Sequence, residues 1–160
     1  VRSTWRVWGV VVALVVLHLF LHLGLGFGPA APDLLTVALL LGARELGTGG
    51  GAGLGFGLGL LEDAFSVLAF GANTLALTVV GAVSARTRDL FVGDSVSFLV
   101  SYLFVGKWMR DLLHWLAIGE GLREPFIQVI LVEGTLGAAY AMGTGLIALT
   151  LTGAWWEKAR

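Results

Sequence analysis

The sequence predicts an all-helical polytopic membrane protein of about six transmembrane helices, and three observations carry that prediction. Of the 160 residues, 57% are hydrophobic and only 13% charged, with a mean hydropathy of +0.88, whereas soluble domains are about one-quarter charged. Apolar runs recur six times, each closed by a polar or Pro/Gly break, as expected of a chain that crosses a bilayer with about 20 apolar residues per helix. The basic residues gather at alternate breaks, the sorting that the positive-inside rule describes. A chain of this length is read as one transmembrane domain, residues 1–160, without room for a separate extramembrane catalytic module. A net charge of -1 supplies no basic stripe for nucleic acid. The lack of cysteine excludes disulfides, thiolate chemistry and Cys-based metal or iron–sulfur sites.

The first run, Trp5 to Phe27, has a basic start in Arg2 and Arg6 that resembles a secretory signal. Its apolar part, from Val7, is longer than a signal core of about 7–15 residues. It also ends in Gly26-Phe27-Gly28-Pro29 without a small-x-small cleavage site, so it is read as a retained helix. The second run, Leu34 to Ala43, opens with Pro32-Asp33, a proline suited to a helix start and an aspartate suited to an N-cap. The third, Gly49 to Phe70, would be a flexible linker in water. In lipid the backbone must bond to itself, so a helix is expected, on which Gly49, Gly53 and Gly57 form one GxxxG series and Gly51, Gly55 and Gly59 another. Two readings stay open for these glycines, close packing inside the bundle and a homodimer interface. No strand precedes them and no Gly-Lys-Ser/Thr follows, so they do not form a phosphate loop.

The fourth run, Asn73 to Ala85, follows Gly71-Ala72, with Asn73 suited to cap it. The fifth, Val92 to Ile118, contains Lys107 and Arg110, and the sixth is Pro125 to Gly153. The second and fourth are short for a full span and are read as tilted, re-entrant or extended by their flanks. With the N-terminus inside, Arg2, Arg6, Arg44, Arg86, Arg88, Lys158 and Arg160 all fall on the cytoplasmic side and Arg123 in an outer loop. Six spans with both termini cytoplasmic follow. Trp5, Trp8, Trp155 and Trp156 sit where an interfacial aromatic belt belongs.

Ionisable side chains at membrane depth are costly and are functional-site hypotheses by default. At about 1.5 Å per residue, Glu62, Asp63, Arg110 and Glu133 each lie roughly 12 Å below the outer boundary, and Lys107 about one turn deeper. Opposite charges from three helices at one level predict an outer-half ion-pair cluster facing the bundle interior, with Arg110 and Glu133 as one pair. The alternative is that Lys107 and Arg110 snorkel outward and the carboxylates stay near the interface. His18 and His22 share a helix face at a two-histidine metal spacing. No carboxylate lies near them in that helix, so packing or an interfacial position is the expectation. There is no Gly-x-Ser-x-Gly, no His-Glu-x-x-His and no cysteine nucleophile. Glu62 and Asp63, being adjacent, point about 100° apart on a helix and do not frame one substrate atom. No enzyme, metal or cofactor is therefore expected.

Pro32-Asp33-Leu34-Leu35, then Gly55-Phe56-Gly57-Leu58-Gly59-Leu60-Leu61-Glu62-Asp63-Ala64-Phe65-Ser66, then Gly71-Ala72-Asn73-Thr74-Leu75-Ala76-Leu77 together resemble the bacterial rod shape-determining protein MreD family. The resemblance is specific over residues 29–80 and reduces to hydropathy in the C-terminal half. Pro32, Asp33, Asp63, Ser66, Gly71 and Asn73 match the family's motif positions, while Glu62 departs from its commoner apolar residue. The resemblance implies a non-enzymatic scaffold of the cell-elongation machinery in the bacterial inner membrane, surrounded by lipid. Its implied partner is MreC, and with it MreB, RodA and a class B penicillin-binding protein. The family's fold is thought to be similar to the substrate-binding S components of energy-coupling-factor vitamin transporters, which supplies the alternative function. For that alternative, the outer-half charges would line a ligand pocket and Gly9-x-x-x-Ala13 would meet a coupling subunit. Against it, the outer loops are short and no aromatic cage is evident.

Overall fold

The computed structural model describes residues 2–26, 31–66, 69–87 and 96–152, which fold into six helices with no strand among them. The expectations for Phe27 to Pro29, Arg88, Trp155, Trp156, Lys158 and Arg160 fall outside these residues. Helix α1 (Arg2–Leu19) continues into a wide π-helical turn, Phe20–Gly24. Its Val7, Val10, Val11, Leu14 and His18 are buried while Val12, Val16 and Leu17 face outward, the spacing of a single helical stripe.

Helix α2 (Leu34–Ala43) is the centre of the bundle, with all ten residues buried. Its one polar side chain, Thr36, bonds back to Asp33, so the helix has no polar face to give to solvent, and α1, α3, α4, α5 and α6 all pack on it. Two neighbours come close because they lack a side chain at the contact. A Cβ on Gly106 of α5 (Val96–Ala117) would meet the Leu40 side chain at 2.6 Å. One on Gly145 of α6 (Gly134–Thr152) would meet Leu103 at 2.7 Å and Val37 at 3.2 Å. The Tyr102 hydroxyl donates to the Leu40 carbonyl oxygen at 2.6 Å, tying α5 to the same helix.

Helices α3 (Thr48–Asp63) and α4 (Ala72–Thr87) form a tight antiparallel pair. Added Cβ atoms on Gly51, Gly55 and Gly59 would lie 2.4, 2.0 and 2.4 Å from the backbone of Gly81, Leu77 and Thr74. Glycine costs a helix about 0.5–1 kcal/mol relative to alanine, and at these three positions that cost is offset by backbone approach that no other residue permits. Gly49, Gly53 and Gly57, by contrast, have nothing within 4 Å of such an atom. The two glycine series thus part company, the first serving packing inside the bundle and the second leaving an open face.

The boundaries differ from the apolar runs in three places. The third helix stops at Asp63, seven residues before Phe70, because the Asp63 side chain turns into the start of α4. The fourth begins at Ala72 and reaches Thr87. The sixth starts with a second π-helical stretch, Ile127–Glu133. Among the described residues two helices, Thr4–Gly24 and Ile127–Thr150, are long and apolar enough to cross a membrane. Large apolar side chains also face outward elsewhere, among them Phe56, Leu60, Leu75 and Val79 on the α3–α4 pair.

Candidate functional site

One end of the bundle gathers the ends of α1 and α3 and the starts of α2, α4 and α6 around the C-terminal half of α5. Asp33 is the N-cap of α2, accepting from the Thr36 amide at 2.9 Å and its hydroxyl at 2.7 Å. The residue before it is Pro32, whose carbonyl accepts from the Leu34 amide at 2.8 Å. The same Asp33 carboxylate lies 3.4 Å from Lys107 Nζ and 3.9 Å from Arg110 Nε, so a helix cap doubles as an ion-pair partner for α5.

Arg110 is the hub. Its Nη2 donates to Glu62 Oε1 and to Asn73 Oδ1, each at 2.7 Å, and its Nη1 to Asp111 Oδ1 at 3.2 Å. Lys107 donates to Asp111 one turn away on the same helix. Both basic side chains are nearly enclosed, at 9% and 11% exposure. Burying such charges is sustained only when partners and hydrogen bonds replace water, and here four helices supply them.

Asp63 does something else. Fully buried, it accepts from the Gly71 and Thr74 amides at 2.9 Å each, the Asn73 amide at 3.2 Å and the Thr74 hydroxyl at 2.6 Å. It therefore caps α4 from the preceding helix, satisfying amides that a helix start leaves without intrahelical partners. Gly71, at φ +95°, supplies the left-handed backbone that aims its own amide at Asp63. Ser66 lies in the same turn, its amide donating to the Asp63 carbonyl at 2.9 Å.

The expected cluster of Glu62, Asp63, Lys107, Arg110 and Glu133 is thus assembled differently. Asp63 sits at the right level but is a cap rather than an ion-pair member. Glu133 is exposed and accepts from Gln128 at 3.0 Å, with no ion pair among the described residues. The π-helical stretch that it closes places more residues in each turn than an α-helix does, which shifts the phase on which its inward orientation was judged. Arg110 pairs with Glu62 instead. Asn73 is not the cap of α4; its side-chain oxygen holds Arg110. Asp33 and Asp111 join the cluster unannounced, although Asp111 stands four residues from Lys107, a spacing that signals a helical ion pair.

Beside the cluster opens a cavity of about 580 Å³. His18 and His22 form one wall, their rings stacked at 4.0 Å, and the His22 Nδ1 bonds the His18 carbonyl oxygen at 3.0 Å. Trp115, Val129 and Tyr140 line other parts of it. Three buried side-chain atoms at this site have no hydrogen-bond partner among the described residues: His18 Nδ1, Glu62 Oε2 and Arg110 Nε. No set of three or more His, Asp or Glu side chains suited to a metal ion occurs among the described residues.

The chain matches no family model, no curated protein and no solved structure. What the site can do therefore rests on its own geometry. Its carboxylates and basic groups are mostly engaged in holding helices at fixed positions. The polar cavity next to them is the part with unspent bonding capacity.

Proposed function

We propose that the protein is a non-enzymatic integral membrane scaffold of the bacterial cell-elongation machinery, of the MreD type, which binds MreC and through it helps organise lateral peptidoglycan synthesis. In this reading it crosses the inner membrane six times with both termini in the cytoplasm. The observation that carries the proposal is the convergence of the motif residues. Pro32-Asp33, Asp63 and Gly71-x-Asn73 come from three separate stretches of sequence, yet meet at one end of the bundle, Asp33 and the Asn73 side chain on Arg110 and Asp63 on the Gly71 and Asn73 amides at the start of α4. A motif whose members hold one end of a helix bundle together suits a rigid, helix-recognising scaffold.

The six-span topology is supported by the alternation of the helices, with Asp33, Asp63 and the Arg110 cluster at one end and the C-terminal ends of α2 and α4, bearing Arg44 and Arg86, at the other. At about 1.5 Å per residue, α3 and α4 are roughly 24 Å long, short of a bilayer core of about 30 Å, and modest local thinning accommodates that difference. The ten-residue α2 is surrounded by protein, so it needs no lipid-facing surface of its own.

Affinity purification of the detergent-solubilised protein from its native membrane, with mass spectrometry of retained proteins and small molecules, tests the proposal. Co-purification of MreC with the elongation enzymes is the expected result. The cavity favours a second reading, the S component of an energy-coupling-factor vitamin transporter, since about 580 Å³ falls within the range of ligand pockets. Recovery of an ATP-binding-cassette module with a stoichiometric vitamin would overturn the scaffold reading in favour of that one.

A further inference from the structure

We infer that the cavity beside Arg110 is a binding site for a protonated amine, whose ammonium group is received by Glu62 and Asp111. The inference stands apart from the scaffold reading and rests on which groups in the cavity are already engaged. The basic side chains are. Lys107 is paired with Asp33 and Asp111, and Arg110 bonds Glu62, Asn73 and Asp111. The remaining Arg110 Nε faces Asp33 at 3.9 Å. At the rim, Arg123 donates to the Ile118 and Leu116 carbonyl oxygens at 2.9 and 2.7 Å and stacks over Trp115. An anion entering here would find the charge of these groups already paired with carboxylates, with only Arg110 Nε lacking a hydrogen bond.

The acidic groups are in excess. In the enclosed part of the cavity three carboxylates, those of Asp33, Glu62 and Asp111, stand against the two basic side chains of Lys107 and Arg110, while Glu124 and Glu133 are exposed. Glu62 Oε2 is buried without a partner, and the bonds to Asp111 all fall on its Oδ1, leaving Oδ2 without a hydrogen bond among the described residues. Uncompensated negative charge in an enclosed site is costly, and a cation relieves it. A third, independent feature points the same way. His18 lines the cavity at 5% exposure, and its Nδ1 is buried with no partner. In the tautomer that carries its proton on Nε2, this Nδ1 is an acceptor and can take one of the three hydrogens of a primary ammonium while the two carboxylates take the others. Trp115, Ile118 and Val129 provide apolar surface for the body of the ligand.

A primary ammonium can arrive from the aqueous phase on a free amine or from the bilayer on an ethanolamine headgroup. The full chain in phosphatidylcholine nanodiscs separates these sources. Phenethylamine is titrated by calorimetry, and nanodiscs doped equally with phosphatidylethanolamine and phosphatidylglycerol are analysed by native mass spectrometry for retained lipid. Saturable phenethylamine binding establishes a free-amine site, and selective retention of phosphatidylethanolamine establishes a headgroup site. In either case Glu62→Gln and Asp111→Asn each weaken binding by about tenfold or more, the range for a charge-assisted hydrogen bond. Both variants keep the side-chain size, and whichever remains monodisperse carries the test. Binding of neither amine, preferential retention of phosphatidylglycerol, or unchanged affinity in a folded variant overturns the inference.

Discussion

Helix α3 carries two glycine stripes of identical spacing with opposite fates. Gly51, Gly55 and Gly59 are pressed against the α4 backbone, and the same stripe reaches Asp63 four residues on, where the close packing ends in a cap on α4. Gly49, Gly53 and Gly57 look onto open space. Between the two lies a third line, Leu54, Leu58 and Glu62, which turns toward the core and ends on Arg110. The difference teaches that a GxxxG pattern reports where a helix can be approached, while the approaching partner is set by what else lies on that face. The packed stripe has Gly81 and Ala85 opposite it, small enough to complete the contact.

Substitutions break this comparison by degrees. Arg110→Met removes the group on which the core-facing line ends. It leaves Glu62 and Asn73 without their partner and three half-buried carboxylates against Lys107 alone, and is expected to cost about 3 kcal/mol, the lower end for breaking a buried ion pair. Unfolding of the solubilised protein in increasing dodecyl sulfate measures it. Gly55→Ala comes next. Its Cβ would fall 2.0 Å from the Leu77 carbonyl oxygen, so the helices must separate, at about 3 kcal/mol, the upper end for overpacking. The same titration should show it well below wild type.

Asp63→Asn keeps the shape of the α4 cap but sets an amide group where only acceptors fit. A loss of about 2 kcal/mol is expected, with faster amide hydrogen exchange at Gly71, Asn73 and Thr74 as the local signature. Gly53→Ala is the smallest and sharpest change. On an open face it should raise stability by about 0.5–1 kcal/mol through helix propensity alone. A fall in native membranes, with the rise retained for the isolated protein, would mean that another helix covers this stripe in the cell.

The helical architecture was legible because apolar runs set it. Leu34 to Ala43, apolar but for Thr36, is both one of the runs and the whole of α2. Level along the bundle was legible too, since rise per residue is fixed, and Glu62, Lys107 and Arg110 lie in one cluster. Direction around the helix was not. Glu133 lines the cavity but is exposed and bonded to Gln128 rather than to Arg110, on a π-helical stretch that no hydropathy pattern announces. Asp63 capping α4 requires a side chain to reach across a turn, a contact between segments that neither run encodes alone. Asp33 was legible as a cap, yet its second role depends on Lys107, 74 positions later in the sequence.

The enclosure of α2 has a consequence for the order of assembly. Its core contacts include α5 and α6, and its Leu40 carbonyl waits for Tyr102. At a synthesis rate of about 5–20 residues per second, the last of α6 emerges roughly 5–20 s after α2 is made. For that interval the most apolar segment of the chain lacks its final neighbours. It must be held by α1 and the α3–α4 pair, which makes that glycine-tight hairpin an early clamp around which the rest of the bundle closes.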